Sequence, residues 1–266
     1  DEDSFLPSLG VNWFINDTHQ LRLAVSQTVA RPDFKEAANA TFYDNEFNFR
    51  VRGNPFLEIS DIINADLRWE WYLSEADSLS VALFYKDMDK PIERVVQAAS
   101  GTAGNSRTFQ NSDSAELYGV EVDGRFEFLL GDGYDQSLFL AFNAAFIESE
   151  VTAENQPSRA LQGQPEYTAN IIFGYDNLSA GHQLTVLLNQ NGKSIADVGV
   201  SGQPDVFLEP RIDLNVVYRF GISNALTLKA KLENLLDEEV EYTQGGQPFQ
   251  VYSRGPTIQL GLDWQF

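Results

Sequence analysis

Residues 257–266 read Thr-Ile-Gln-Leu-Gly-Leu-Asp-Trp-Gln-Phe, and this stretch decides the fold. Its side chains alternate strictly. One face is apolar, with Ile258, Leu260, Leu262, Trp264 and Phe266, and the other has Thr257, Gln259, Gly261, Asp263 and Gln265. A period of two is typical of a β-strand whose faces meet different surroundings. The end of the chain is therefore predicted to be a two-faced strand.

The same alternation recurs along the whole chain. It is clear at 63–73, 118–128 and 211–220, and weaker at 8–15, 20–29, 78–89, 137–148, 166–175, 182–190 and 225–233. Most segments have about ten residues, which exceeds the roughly 5–6 of soluble sheets and matches the roughly 9–11 that a tilted strand needs to cross a bilayer. The sequence thus predicts eleven strands of membrane-spanning length.

The connections between these segments alternate between short and long. Short turns fall at 16–19, 74–77, 131–134, 176–181 and 221–224, and long polar connections fall at 30–60, 90–111, 149–164, 191–208 and 234–252. All turns then lie at one end of the sheet, as in an outer-membrane barrel. A basic residue facing lipid near the midplane would cost roughly 2–4 kcal/mol, so the polar faces are expected to line the interior.

Composition excludes several classes of function. The 266 residues include 18 Lys and Arg against 39 Asp and Glu, a net charge of −21, with no Cys and two His. An acidic surface repels nucleic acid, and the lack of cysteine removes thiolate sites. We therefore predict no catalytic residue, no metal site, no cofactor and no nucleic-acid partner. No apolar run reaches the 18 residues of a spanning helix.

Strand parity indicates an incomplete barrel. With eleven strands the first and last would run in the same direction, whereas bacterial single-chain barrels have an even number of antiparallel strands. Eleven is half of 22, a size at which the lumen is plugged. We expect residues 1–266 to be the C-terminal half of an all-β, transmembrane, antiparallel β-barrel of 22 strands.

Four sequence motifs carry a resemblance to a known family. They are Phe5-Leu6-Pro7-Ser8-Leu9, the stretch 21–34 ending in Arg31-Pro32-Asp33-Phe34, Gly53-Asn54-Pro55, and Glu233-Asn234-Leu235-Leu236-Asp237. With these four motifs in this order, the chain resembles the barrel of TonB-dependent outer-membrane receptors. The resemblance implies a Gram-negative outer membrane with lipid and lipopolysaccharide around the barrel. It also implies a separate N-terminal plug and TonB-energised uptake of a siderophore, cobalamin or an oligosaccharide.

The final residues resemble a barrel-assembly signal. Gln259, Gly261, Leu262, Trp264 and Phe266 fit the pattern that the barrel-assembly machinery recognises in outer-membrane proteins. An ordinary amphipathic edge strand explains most of the match, but not the terminal Phe.

The connection 30–60 is the predicted ligand contact, through Phe34, Tyr43, Arg50 and Arg52. Aromatic faces stack on sugars or catecholate rings, and guanidinium groups pair with anionic oxygens. The alternative is that these aromatic side chains only pack the connection against its neighbours. At the level of the whole protein, the alternatives are a passive porin or structural barrel and a soluble all-β binding domain.

Overall fold

The computed structural model describes residues 4–45, 47, 49–98, 105–131, 135–154 and 156–265. In chain order its elements are β1 (Ser8–Phe14), β2 (His19–Ala30), α1 (Phe34–Ala37), β3 (Thr41–Asp44), β4 (Phe49–Arg52), β5 (Ser60–Tyr72), β6 (Ser78–Asp89), β7 (Ile92–Ala98), β8 (Asn105–Asn111), β9 (Ser114–Leu130), β10 (Gln136–Thr152), β11 (Tyr167–Asn177), β12 (His182–Asn191), β13 (Ser194–Gly199), β14 (Val206–Leu208), β15 (Arg211–Ser223), β16 (Leu226–Glu233), β17 (Val240–Gln244), β18 (Gln247–Tyr252) and β19 (Thr257–Trp264).

The long strands form one antiparallel sheet, which we call the barrel sheet. Over the described residues it has eleven strands in the order β1-β2-β5-β6-β9-β10-β11-β12-β15-β16-β19. They correspond one to one with the eleven predicted strands, so the predicted barrel fold is confirmed. β9 and β10 are longer than predicted, with 17 residues each, because their pairing continues beyond the alternating segments.

The apolar faces of the barrel sheet are exposed. Leu260, Trp264 and Phe146 keep 75%, 72% and 62% of their surface accessible. Exposed apolar side chains that cover one face of a whole sheet mark contact with another apolar phase. That phase is the hydrocarbon band of a membrane. Among the residues that the structure describes, no helix is long and apolar enough to span a membrane.

Four of the five long connections contain short strands, and the described part of the connection 149–164 contributes only the bridge between Val151 and Arg159. The described parts of these connections form an eight-stranded sheet in the order β18-β17-β14-β13-β7-β8-β4-β3, which we call the outer sheet. Parallel pairing joins hairpins from different connections: Val51 of β4 lies opposite Arg107 of β8, and Val198 of β13 lies opposite Val95 of β7. Strands this short show too little alternation to be detected in the sequence, so the connections were identifiable there only by their length and polarity.

Candidate functional site

The hairpin of β3 and β4 brings three of the four predicted ligand residues together. Its register places Tyr43 opposite Arg50 and Thr41 opposite Arg52, so these side chains share one face of the hairpin. Tyr43 is 57% exposed, and both arginines are exposed. Among the described residues neither arginine has a partner in an ion pair. We call Tyr43, Arg50 and Arg52 the hairpin face.

Phe34 stands apart from the hairpin face. It is the first residue of α1 and is 88% exposed. Asp33 caps this short helix in a capping box with Glu36, whose side chain accepts a 2.8 Å hydrogen bond from the Asp33 backbone. The Arg-Pro-Asp-Phe motif is thus helix-capping chemistry, as the residue types favour.

Gly53 and Asn54 attach the hairpin to the rest of the outer sheet. A Cβ at Gly53 would lie 2.2 Å from the Ala38 carbonyl oxygen, so only glycine allows this close approach. The Asn54 side chain donates a 3.0 Å hydrogen bond to the carbonyl of Phe109. The Gly-Asn-Pro motif is therefore structural.

A hollow of about 350 Å³ opens beside Arg52. Its lining includes Asn39, Asn54, Phe56, Gln97 and Thr108. Sequence reasoning missed Gln97 and Thr108 because they lie in the connection 90–111, which the parallel pairing of β4 and β8 brings beside the hairpin. The hollow offers amide and hydroxyl groups next to a guanidinium, a set suited to polar, anionic ligands.

A buried arginine lies under the opposite face of the hairpin. The Arg107 side chain is 0% exposed and donates to Asp197 at 2.5 Å and to Asp44 at 3.0 Å. Its guanidinium lies 4.2 Å from the ring centroid of Phe47 and 4.4 Å from that of Phe49. Burial lowers the pKa of the Arg107 guanidinium from its ordinary value, and the Asp197 carboxylate opposes that shift. Phe47 and Phe49 of the connection 30–60 therefore pack against this arginine.

Further hydrogen bonds join the other connections to Arg107. Asp197 also pairs with Arg94. The Gln162 side chain donates to the carbonyls of Arg94 at 2.9 Å and Ala196 at 2.7 Å. Glu93 pairs with Arg159 at 2.7 Å. Because these residues come from four long connections, the network fixes the position of the hairpin face, as preorganised recognition requires.

Glu209 forms a second group of side-chain hydrogen bonds within the outer sheet. Burial alone would raise the pKa of the Glu209 carboxyl, but hydrogen bonds from Lys193 and Thr243 outweigh burial and hold the pKa below its ordinary value. The carboxylate is thus ionised at neutral pH and links β13, β14 and β17.

Both histidines lie at the turn end of the barrel sheet, away from the outer sheet. The His19 ring stacks on Trp69 and Trp71, with 5.6 Å between centroids in each case. His182 stacks on Phe220 at 4.6 Å, and its Nδ1 lies 2.7 Å from the Tyr218 hydroxyl. Each histidine is the first residue of a strand, and its ring stacks on aromatic side chains of the neighbouring strand. In the described part of the chain, no cluster of three or more His, Asp or Glu could hold a metal ion.

Four of the five predicted assembly residues lie on β19. Gln259 and Gly261 share the polar face with Lys231 and Lys229, while Leu262 and Trp264 share the apolar face with Leu228 and Leu226. Phe266 lies outside the described residues. The assembly role of these five residues stays a prediction.

Deleting Phe266 from the complete protein is expected to reduce the amount of folded barrel in the outer membrane without changing synthesis. The reason is that the terminal Phe completes the pattern resembling the assembly signal. Heat-modifiable mobility on gels measures the folded fraction. Normal assembly of the deletion variant would leave an ordinary edge strand as the explanation.

Comparison with known proteins gives concordant matches. The family model for the TonB-dependent receptor-like β-barrel matches residues 1–235. The iron-regulated outer membrane virulence protein of Vibrio cholerae is 28% identical over 229 residues, covering 81% of this chain and 32% of that protein. The chain thus spans about a third of the length of the curated relatives it matches.

Solved structures show the same fold. The ferric enterobactin receptor of Pseudomonas aeruginosa superposes with a TM-score of 0.65 at 17% identity, covering 98% of this chain and 40% of that one. The siderophore receptor of Acinetobacter baumannii gives 0.66 at 16% identity, covering 98% and 41%. With the barrel sheet, the outer sheet and the match over 1–235, the chain belongs to the TonB-dependent receptor β-barrel family, whose barrels lie in the outer membrane of Gram-negative bacteria.

Proposed function

We propose that the complete protein is an active transporter that imports a ferric siderophore through the outer membrane, energised through TonB. Family membership supports a transport receptor rather than an enzyme. The names of the similar proteins, an iron-regulated outer membrane protein and two siderophore receptors, favour the siderophore among the candidate ligands.

The choice of ligand rests on the side chains of the hairpin face. Arg50 and Arg52 are exposed, lack described ion pairs and share their face with the Tyr43 ring. A ferric chelate of the catecholate type presents anionic oxygens and aromatic rings, which guanidinium and phenol groups bind. In a protein of charge −21, two exposed arginines on one face of a hairpin suit an anionic ligand.

The proposal includes the partners of the complete protein. A plug domain fills the lumen and receives energy from the TonB system, while residues 1–266 supply the C-terminal half of the barrel. Lipid and lipopolysaccharide surround the apolar faces, and the barrel-assembly machinery inserts the chain.

Replacing both Arg50 and Arg52 with Gln in the complete receptor is expected to weaken binding of ferric enterobactin, used as the probe, by roughly tenfold or more, because charge-assisted hydrogen bonds are the strong ones. Intrinsic fluorescence quenching measures binding, and uptake of radioactive iron supplied as the same complex measures transport.

Arg254→Gln is the matched control, because Arg254 is also an exposed arginine, after β18 at the opposite edge of the outer sheet. It is expected to bind normally. Equal losses in both variants, or wild-type binding by a folded double variant, would contradict a ligand contact at the hairpin face. Uptake that persists in cells lacking TonB would contradict energised transport.

A further inference from the structure

The hairpin face continues across two further strands of the outer sheet. Arg50 of β4 lies opposite Ser106 of β8, and Ser106 lies opposite Gln97 of β7. Residues directly opposite each other share one side of a sheet, and so do residues two apart on one strand. Arg52 and Thr108 therefore lie on the same side. The register extends the exposed arginines onto polar side chains that come from another long connection.

The distance across these strands is short. β8 lies between β4 and β7 in the outer sheet. Because neighbouring strands lie about 4.8 Å apart, β4 and β7 are separated by roughly 10 Å. One small ligand can therefore contact the arginines of β4 and the polar side chains of β7 and β8 at the same time.

Gln97 and Thr108 both line the hollow of about 350 Å³ beside Arg52. Both are half-buried, and neither side chain has a hydrogen-bond partner among the described residues. Leaving polar groups unpaired away from water is costly. This carboxamide and this hydroxyl are therefore available to a ligand that enters the hollow.

The other neutral polar side chains of the lining are already satisfied. Asn54 donates to the Phe109 carbonyl at 3.0 Å and accepts from the Phe56 backbone at 3.0 Å. Asn39 is exposed, so that water can bind its amide. Within the described lining, a position shielded from water and the lack of a protein partner coincide at Gln97 and Thr108.

These two side chains recognise a different chemistry from the arginines. A guanidinium only donates hydrogen bonds, which suits the anionic oxygens of a chelate. A carboxamide and a hydroxyl each donate and accept, which suits a neutral amide. Small-molecule pockets measure roughly 300–1,000 Å³, so a hollow at the lower end of that range admits one arm of a chelate.

We propose that Gln97 and Thr108 determine specificity by binding an amide group that links a catecholate ring to the rest of the ferric chelate, while the arginines of the hairpin face bind its anionic oxygens. The ligand class is a catecholate chelate with amide linkers. A site whose polar groups are placed for an amide rejects an analogue without it, because those groups then stay unpaired. This inference rests on the proposed function and names the ligand class of its site.

The test uses the double variant Gln97→Leu/Thr108→Val in the complete receptor and two probes in the same alkaline buffer. Ferric enterobactin carries amide linkers, whereas the iron(III) tris-catecholate complex presents anionic oxygens and rings without them. Fluorescence quenching measures binding, and heat-modifiability reports barrel folding. The double variant is expected to bind ferric enterobactin roughly tenfold more weakly than the wild type. Its affinity for the tris-catecholate complex is expected to be unchanged.

Gln110→Leu is the matched control. Gln110 lies on the same side of β8 as Thr108 and also lacks a described partner, but it is not among the residues that line the hollow. The control is expected to bind both probes normally. Thr108→Ser keeps the hydroxyl and is expected to bind ferric enterobactin more tightly than Thr108→Val.

Wild-type binding of ferric enterobactin by a folded double variant, or equal loss of both probes, would overturn the inference. Should the double variant fail to assemble, Gln97→Leu and Thr108→Val are read singly in the same way. The Arg50→Gln/Arg52→Gln variant is expected to lose affinity for both probes. If it keeps both while the double variant loses only ferric enterobactin, the arginine contact of the proposed function fails and the amide site stands. A wild-type receptor that binds neither probe would overturn both.

Discussion

Replacing Asp197 with alanine is expected to destabilise the outer sheet by about 3–5 kcal/mol while the barrel sheet stays folded. Asp197 is 0% exposed and pairs with both Arg107 and Arg94. Among the residues that the structure describes, its removal leaves the buried Arg107 guanidinium with the partly exposed Asp44 as its remaining anion. An uncompensated buried charge is far more costly than a lost surface pair.

Hydrogen exchange of the complete receptor measures this effect segment by segment. Protection is expected to fall in β4, β7, β8 and β13 and to persist in β9 and β10. Lys90→Gln is the control, since it removes the solvent-exposed pair with Glu58, and such pairs contribute little. Unchanged protection of the outer sheet in the Asp197 variant would show that the buried network does not hold it together.

Replacing Leu188 with arginine is expected to destabilise the folded barrel by roughly 2–4 kcal/mol if the residue lies near mid-membrane. Leu188 lies between Ile171 of β11 and Leu214 of β15 on the apolar face. A guanidinium there would meet hydrocarbon. Unfolding of the complete receptor in lipid bilayers by denaturant measures the free energy of unfolding.

The adjacent substitution Asn189→Arg is the control for the two faces. Asn189 lies opposite Asp213 on the polar face, and one carboxylate oxygen of Asp213 is buried without a hydrogen-bond partner. An arginine at 189 can supply that partner, so a mild or stabilising effect is expected. Equal destabilisation by both variants would mean that the two faces are assigned wrongly. The substitution Asn215→Arg, on the same polar face, would be a weaker control. The Asn215 side chain accepts a 3.0 Å hydrogen bond from the Asn234 backbone, and the substitution would remove it.

The sequence alone identified some of the residues that the structure brings together around the hairpin face, and it missed others. Arg50, Arg52 and Tyr43 share one face because a hairpin alternates its side chains, a local property. Phe34 does not share it, since the Pro-Asp pair starts a helix there. Gln97 and Thr108 were missed because the parallel pairing of β4 with β8, which brings them near Arg52, joins two connections that are distant in the sequence.

The sequence by itself determined the barrel sheet: eleven strands, their order, and the face of each that meets lipid. Side-chain alternation along one strand and the cost of charge in hydrocarbon are sufficient for that, and neither requires knowledge of distant contacts. Only the tertiary structure decided that four of the long connections pair into an outer sheet and that Arg107 is buried against Asp197 some 90 residues away. Those features depend on register and on contacts between distant segments, which local periodicity does not encode.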